Sequence, residues 1–393
     1  MSKAHREPLE RSRAPAVKYV SFHEASGYGC AARSYLLGLA QSSYPLTWTP
    51  MITKGFFRPR YRPVAGPGVG DAELDRFCNR AVAYAQVLIH LVPEYIPLWK
   101  IKEAGKRLVG YCVWETDKLP AHWPRLLNQL DQVLVPCRWN KEVFERSGVL
   151  RPIEVIPHLF TPYSSDDGRR SIDPDPAPGH FVFYTIGDWT VRKSIGDTVR
   201  CYLNTFTAAD PVTFIIKTSS RDSSHRPLGF RGRRTRSSLK EIVRSYKNPA
   251  RIVLIDKPVN AHRMAALHRR GDCYISLCRA EGWGLGAFDA AASGKPVIIT
   301  GLGGQLDYLG REYPFLVDWR WISVQDRHGR PAYTSDQNWA EPSMDHASRL
   351  MRRVFENPET AREKARLQAR LIRHAFSSQK TMAKLISVLK GLG

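Results

Sequence analysis

Residues 280–299 read AEGWGLGAFDAAASGKPVII and follow, after Arg279, on the apolar run CYISLC at 273–278. The order is buried strand, glycine-rich turn, short helix, Gly-Lys-Pro break and second strand, which is one repeat of a parallel α/β sheet. Gly282, Gly284 and Gly286 let the backbone approach a ligand closely and leave amide N–H groups to meet an anion at the helix start. Glu281 stands at the strand end, and Asp289 follows eight positions later, within the helix.

The same alternation extends in both directions. Strands are predicted at 17–22, 87–92, 107–113, 132–135 and 153–156, with a helix over 30–40 after the loop HEASGYG. Residues 164–179, SSDDGRRSIDPDPAPG, are polar, proline-rich and short of apolar side chains, the composition of a linker. A second series follows at 181–186, 212–216, 251–255, 273–277 and 297–300. A chain of 393 residues exceeds one ordinary core. The expectation is an α/β protein of two Rossmann-like domains, 1–163 and 180–374, with parallel sheets facing a central cleft. Ligands in such sheets sit at the carboxyl ends of the strands. A terminal helix over 375–393 is expected to cross back onto the first domain.

Hydrophobic residues make up 43% of the chain, enough to exclude a disordered polymer. The seven cysteines match no zinc or redox spacing, and Cys273 and Cys278 have no partner cluster nearby. The charged first fifteen residues are no signal peptide, and no run reaches the ~18 apolar residues of a spanning helix. The expected place is the cytoplasm, with peripheral attachment to a membrane left open. A net charge of +22 draws polyanions: nucleic acid, an anionic membrane face or phosphorylated substrates. The excess sits in two segments. One is KGFFRPRYR at 54–62, where Arg58, Arg60 and Arg62 alternate with aromatics. The other lies between Arg221 and Arg251 and includes Arg226, Arg231, Arg233, Arg234 and Arg236. Both patterns suit phosphate gripping and base stacking, anionic lipid or an ordinary solvated loop.

The stretch around Glu281 resembles the E-x7-E element of the retaining glycosyltransferases of family 4, also called group 1. The likeness continues through GKPV, GLGGQLDY at 301–308 and WAEP at 339–342. Upstream it takes in WETDKLPAHWPRLLNQLDQVLVPCRWNKEVFERSGV at 114–149 and IPH at 156–158. It implies a GT-B fold, with an acceptor-side N-terminal domain and a C-terminal domain for a nucleotide diphosphate sugar. Glu281 then contacts the donor sugar, and Asp289, an aspartate where the family has glutamate, contacts the ribose. Arg192 and Lys193, in GDWTVRKSIGD, hold the diphosphate, helped by Lys217 at the end of FIIK. Gly282, Gly284 and Leu285 belong to the donor turn, Gly303 and Gly304 to a second turn, and Gly27 and Gly29 to the N-terminal glycine loop. Asp188 occupies a position where the family often has arginine, and Gly286 one where it often has proline.

On the acceptor side the candidates are Glu115, His158, Arg58 and Arg60. A buried, hydrogen-bonded carboxylate is the plainer reading of Glu115, and a structural histidine that of His158. No metal is expected, since the chain offers no Asp-x-Asp in a suitable context. Cations and helix N-termini aimed at a departing nucleoside diphosphate lower the barrier without one. Glu281 and Asp289 do not form a hydrolase pair: eight helical steps span roughly 12 Å, beyond the ~5–9.5 Å between glycosidase carboxylates. The rival reading is a non-catalytic polyanion-binding protein on the same scaffold. It draws on the departures at Asp188 and Asp289. An epimerase or phosphorylase is a third reading.

Overall fold

The structure is a computed structural model and describes residues 16–54, 60–160, 176–224, 233–326 and 332–391. Arg58, Arg226, Arg231 and most of the expected linker lie outside the described residues. The chain forms two compact units: Met1–Tyr111 with Leu130–Gln132 and Met382–Gly393, and Cys112–Gln129 with Val133–Thr381.

In the first unit the strands are β1 (Ala16–Phe22), β2 (Leu46–Lys54), β3 (Arg60–Pro63), β4 (Tyr84–His90) and β5 (Arg107–Tyr111). They lie in the order β3-β2-β1-β4-β5. All pairs are parallel except β2 with β3. Val17, Tyr19, Val20, Val87 and Val109 are sealed in the core, as apolar runs flanked by helices should be. The helix Gly27–Gln41 follows β1 and is capped by Ser26, whose Oγ accepts from the Gly29 amide at 3.2 Å. The chain ends in two helices, Pro358–Ala375 and Ser378–Leu389, where the sequence suggested one beginning at 375. From Met382 on, the last helix belongs to the first unit. Gln86 Nε2 donates to Leu389 O at 2.6 Å and Arg107 to Val388 O at 3.2 Å.

The second unit holds β6 (Gln132–Val135) from Val133 on, paired in parallel with β7 (Ile153–Val155). Its main sheet contains β8 (Phe181–Ile186), β9 (Val212–Lys217), β10 (Arg251–Ile255), β11 (Cys273–Ser276), β12 (Val297–Thr300) and β13 (Leu316–Val317). The order is β10-β9-β8-β11-β12-β13, all parallel. Strand order therefore reverses between β8 and β11, and loops leaving the carboxyl ends of those two strands emerge side by side. A hairpin of β14 (Trp319–Ser323) and β15 (Asn338–Pro342) completes the unit.

Three features depart from the sequence reading. β2, β3 and the hairpin were not anticipated: Pro50 interrupts β2, and WAEP reads as a helix approach. It is that too, since Ser343 Oγ accepts from the His346 amide at 3.3 Å. The first compact unit runs to Tyr111 before the chain passes to the second. Residues 112–129 and 133–160 belong to the second unit, with direct bonds inside it. Asp117 receives the Asn338 amide at 2.6 Å, Thr116 meets Gln337 at 3.3 Å, and Cys137 Sγ lies 3.1 Å from Gly282 O.

Candidate functional site

The loop after β8 carries Arg192 and Lys193, and the loop after β11 carries Glu281. The two loops are stitched by the Arg279 amide, which donates to Arg192 O at 2.7 Å. Arg192 donates to Ala280 O at 2.7 Å and lies 3.4 Å from Glu281 Oε2. Its other terminal nitrogen is 3.3 Å from Glu115 Oε1. Lys193 Nζ forms an ion pair with Glu281 Oε1. Four sequence candidates thus meet in one cluster of alternating sign, and Glu281 within it is only 6% exposed.

Burial alone would raise the Glu281 carboxyl, but Lys193 and then Arg192 outweigh it and hold the group below its ordinary value. Burial likewise works against the charge on Arg192. The carboxylates of Glu115 and Glu281 reverse that and fix it as a cation. Lys217, at the end of β9, is half-buried; burial lowers its pKa against the pull of Asp188 and Asp256. Its ammonium donates to Thr218 O at 2.9 Å.

The glycines are required by backbone contact. A Cβ on Gly304 would fall 2.0 Å from Gly282 O, and one on Gly303, at φ +107°, 2.4 Å from Glu281 O. The Gly304 amide donates to Glu281 O at 3.0 Å. Gly282 is constrained on its far side, where a Cβ would reach the Val113 side chain at 2.3 Å and Trp114 O at 3.0 Å. The 281–282 and 303–304 backbones therefore touch without intervening side chains. Gly284, at φ +82°, opens the helix Leu285–Ala292, which carries Leu285 and the half-buried Asp289. At Gly286 a Cβ would crowd Tyr274 Oη at 3.0 Å and Ile186 Cβ at 3.2 Å, which accounts for the residue there.

Other candidates lie elsewhere. Gly27 and Gly29 start the first unit's helix, where Gly29 is needed because a Cβ would fall 2.0 Å from Glu24 O. Arg60 is exposed on β3. His158 is buried: it is 5% exposed, its ring sits 5.6 Å from that of Trp283, and burial drives its pKa down to about 3. Among the described residues no group of three or more His, Cys, Asp or Glu could hold a metal ion. Sequence reasoning missed Arg279, Asp197, Glu341 and Tyr333. Asp197, four residues after Lys193, and Glu341, within WAEP, sit in stretches already quoted, and Arg279 is the residue between CYISLC and the glycine turn.

Residues 218–385 match the family model described as "Family 4 Glycosyltransferase in conflict systems". Solved structures resemble nearly the whole chain. Sucrose-phosphate synthase from Thermosynechococcus elongatus matches with a TM-score of 0.67 at 13% identity, covering 96% of this chain and 99% of its own. The Escherichia coli trehalose-6-phosphate protein bound with UDP-2-fluoro glucose gives 0.64 at 12%, covering 95% and 99%. Anabaena HepE in complex with UDP gives 0.62 at 12%, covering 96% and 100%. The fold of this chain is GT-B. No curated protein matches the chain. Among its described residues, the chain has no helix long and apolar enough to cross a membrane.

Proposed function

We propose that this glycosyltransferase moves a hexose, with retention, from a nucleotide diphosphate sugar to a polyanionic or glycan acceptor, in the cytoplasm and without a metal. The observation that carries the reading is the meeting of Arg192, Lys193 and Glu281 where strand order reverses, against a glycine-lined turn. Ligands of open α/β sheets bind at that place. Lys193 is the more exposed of the two cations and meets the diphosphate first; Arg192 stabilises the charge that grows as the glycosidic bond breaks. Glu281, kept ionised by the pair, receives hydroxyls of the sugar. Asp289 takes the ribose, and Gly303 and Gly304 let the donor lie against backbone. With one face of the sugar held, the acceptor attacks from the side of the leaving group. A donor phosphate oxygen takes the acceptor's proton, so no enzyme nucleophile is needed.

The test is a thermal-shift and hydrolysis screen against UDP-, GDP- and ADP-sugars, repeated with Glu281→Ala. One donor is expected to raise the melting temperature and to be cleaved slowly. The variant should lose cleavage by about a hundredfold or more, the scale of removing one strong transition-state contact. Silence of the wild type toward every donor would refute the assignment, and an unimpaired variant would remove Glu281 from the sugar site.

A further inference from the structure

Arg279 uses its whole guanidinium inside the second unit. Nε donates to Glu341 Oε2 at 2.9 Å. One terminal nitrogen reaches Asp197 Oδ2 at 3.1 Å and Glu341 Oε1 at 3.3 Å, and the other reaches Val191 O at 2.8 Å and Ser194 Oγ at 3.0 Å. Its carbonyl receives the Ala340 amide at 2.8 Å. One side chain thus ties the Arg192–Lys193 loop, the Glu281 loop and β15 together. The loop needs holding: Ser194 sits at φ +51°, a left-handed conformation costly for a residue with a Cβ.

The connection between the two strands of the hairpin also reaches the site. Tyr333 stacks on Trp114, with centroids 5.1 Å apart and planes at 23°, and its hydroxyl donates to Glu115 Oε2 at 2.9 Å. Glu115 in turn holds the Arg192 guanidinium. Both routes end on Arg192. One passes through its backbone carbonyl and neighbouring loop, the other through its guanidinium.

We propose that Arg279 and Tyr333 are positioning residues through which the β14–β15 hairpin sets the orientation of Arg192 against Glu281. The consequence for turnover rests on the donor reading; the positioning itself does not. A hydrogen bond to a carboxylate that orients a catalytic cation is a charge-assisted contact, and its loss shows in rate more than in binding.

Two arms test this on the full chain. Hydrogen exchange is followed at the amides of Lys193 and Ser194, which are bonded to Thr190 at 3.1 and 3.0 Å. In Arg279→Met they should exchange at least about tenfold faster, while amides of β8 stay protected. In the second arm the turnover of UDP-glucose, or of whichever sugar nucleotide the screen finds cleaved, is measured for Tyr333→Phe, Glu115→Gln and the double variant. Tyr333→Phe removes one hydroxyl and keeps the stack. It should lower kcat about tenfold with KM nearly unchanged and the melting temperature held. The double variant should be no slower than Glu115→Gln alone. Unchanged exchange in Arg279→Met, or additive losses in the cycle, would overturn the proposal. A wild type that neither binds nor cleaves any sugar nucleotide strikes the donor reading instead, and the exchange arm still decides the positioning.

Discussion

Glu281 is a buried carboxylate whose ionisation is maintained by two cations, Lys193 and Arg192. The E-x7-E spacing and the adjacent glycines single out Glu281, and Arg-Lys stands out in its loop. That Glu115 would close on Arg192 is invisible, because 77 residues and a change of strand separate them. His158 and His268 make the residue-scale prediction. Burial depresses both to about 3, so both stay neutral in the folded chain. The unfolded chain binds their protons near pH 6.5, so below that value it is the proton-richer state and stability falls with pH. Each histidine contributes a loss of about 1.4 kcal/mol per pH unit between roughly 6.5 and 3. Glu281 adds in the same direction, but only as pH drops through its lowered value. Urea midpoints at pH 7.5 and 5.5 check this. The acid shift should shrink in His268→Gln, and an identical shift in that variant would exclude the histidine.

At the scale of elements, apolar runs bounded by turn residues gave strands over 132–135, 181–186, 251–255 and 297–300 with matching limits. The hairpin escaped because its two strands are short and its partner contacts, Glu341 to Arg279 and Tyr333 to Glu115, lie outside any local pattern. The glycine turns provide a paired prediction. Gly304→Ala drives a methyl group to 2.0 Å from a carbonyl oxygen, which only a backbone shift relieves. The expected cost is about 2–4 kcal/mol, read as a lower melting temperature. Gly27→Ala, at the first position of its helix with nothing within 4 Å of the new atom, should be neutral or slightly stabilising. Equal melting temperatures for the two variants would contradict the packing described.

For the whole molecule, strand order in both units follows from parallel crossovers, and the reversal between β8 and β11 explains why loops distant in sequence converge. The +22 charge is a property at this scale as well. Part of it stands on the helix Thr235–Arg244, where Arg236, Lys240 and Arg244 recur every fourth residue and are exposed, although Arg236 is paired with Asp256. A polyanionic acceptor gripped by such charges should bind less well as salt rises. Between about 50 and 200 mM, affinity for single-stranded nucleic acid in filter binding should fall at least about tenfold. Retention indifferent to salt would argue for a neutral glycan acceptor.

The cluster of Arg192, Lys193, Glu115 and Glu281 sums to zero even though the chain as a whole is strongly positive. A stray phosphate drifting toward this basic protein finds the innermost cations already spoken for. Entry therefore favours a guest that brings hydroxyls to occupy the displaced carboxylate along with phosphates for the cations. A sugar nucleotide carries both, whereas inorganic phosphate or a bare polyanion carries only the second.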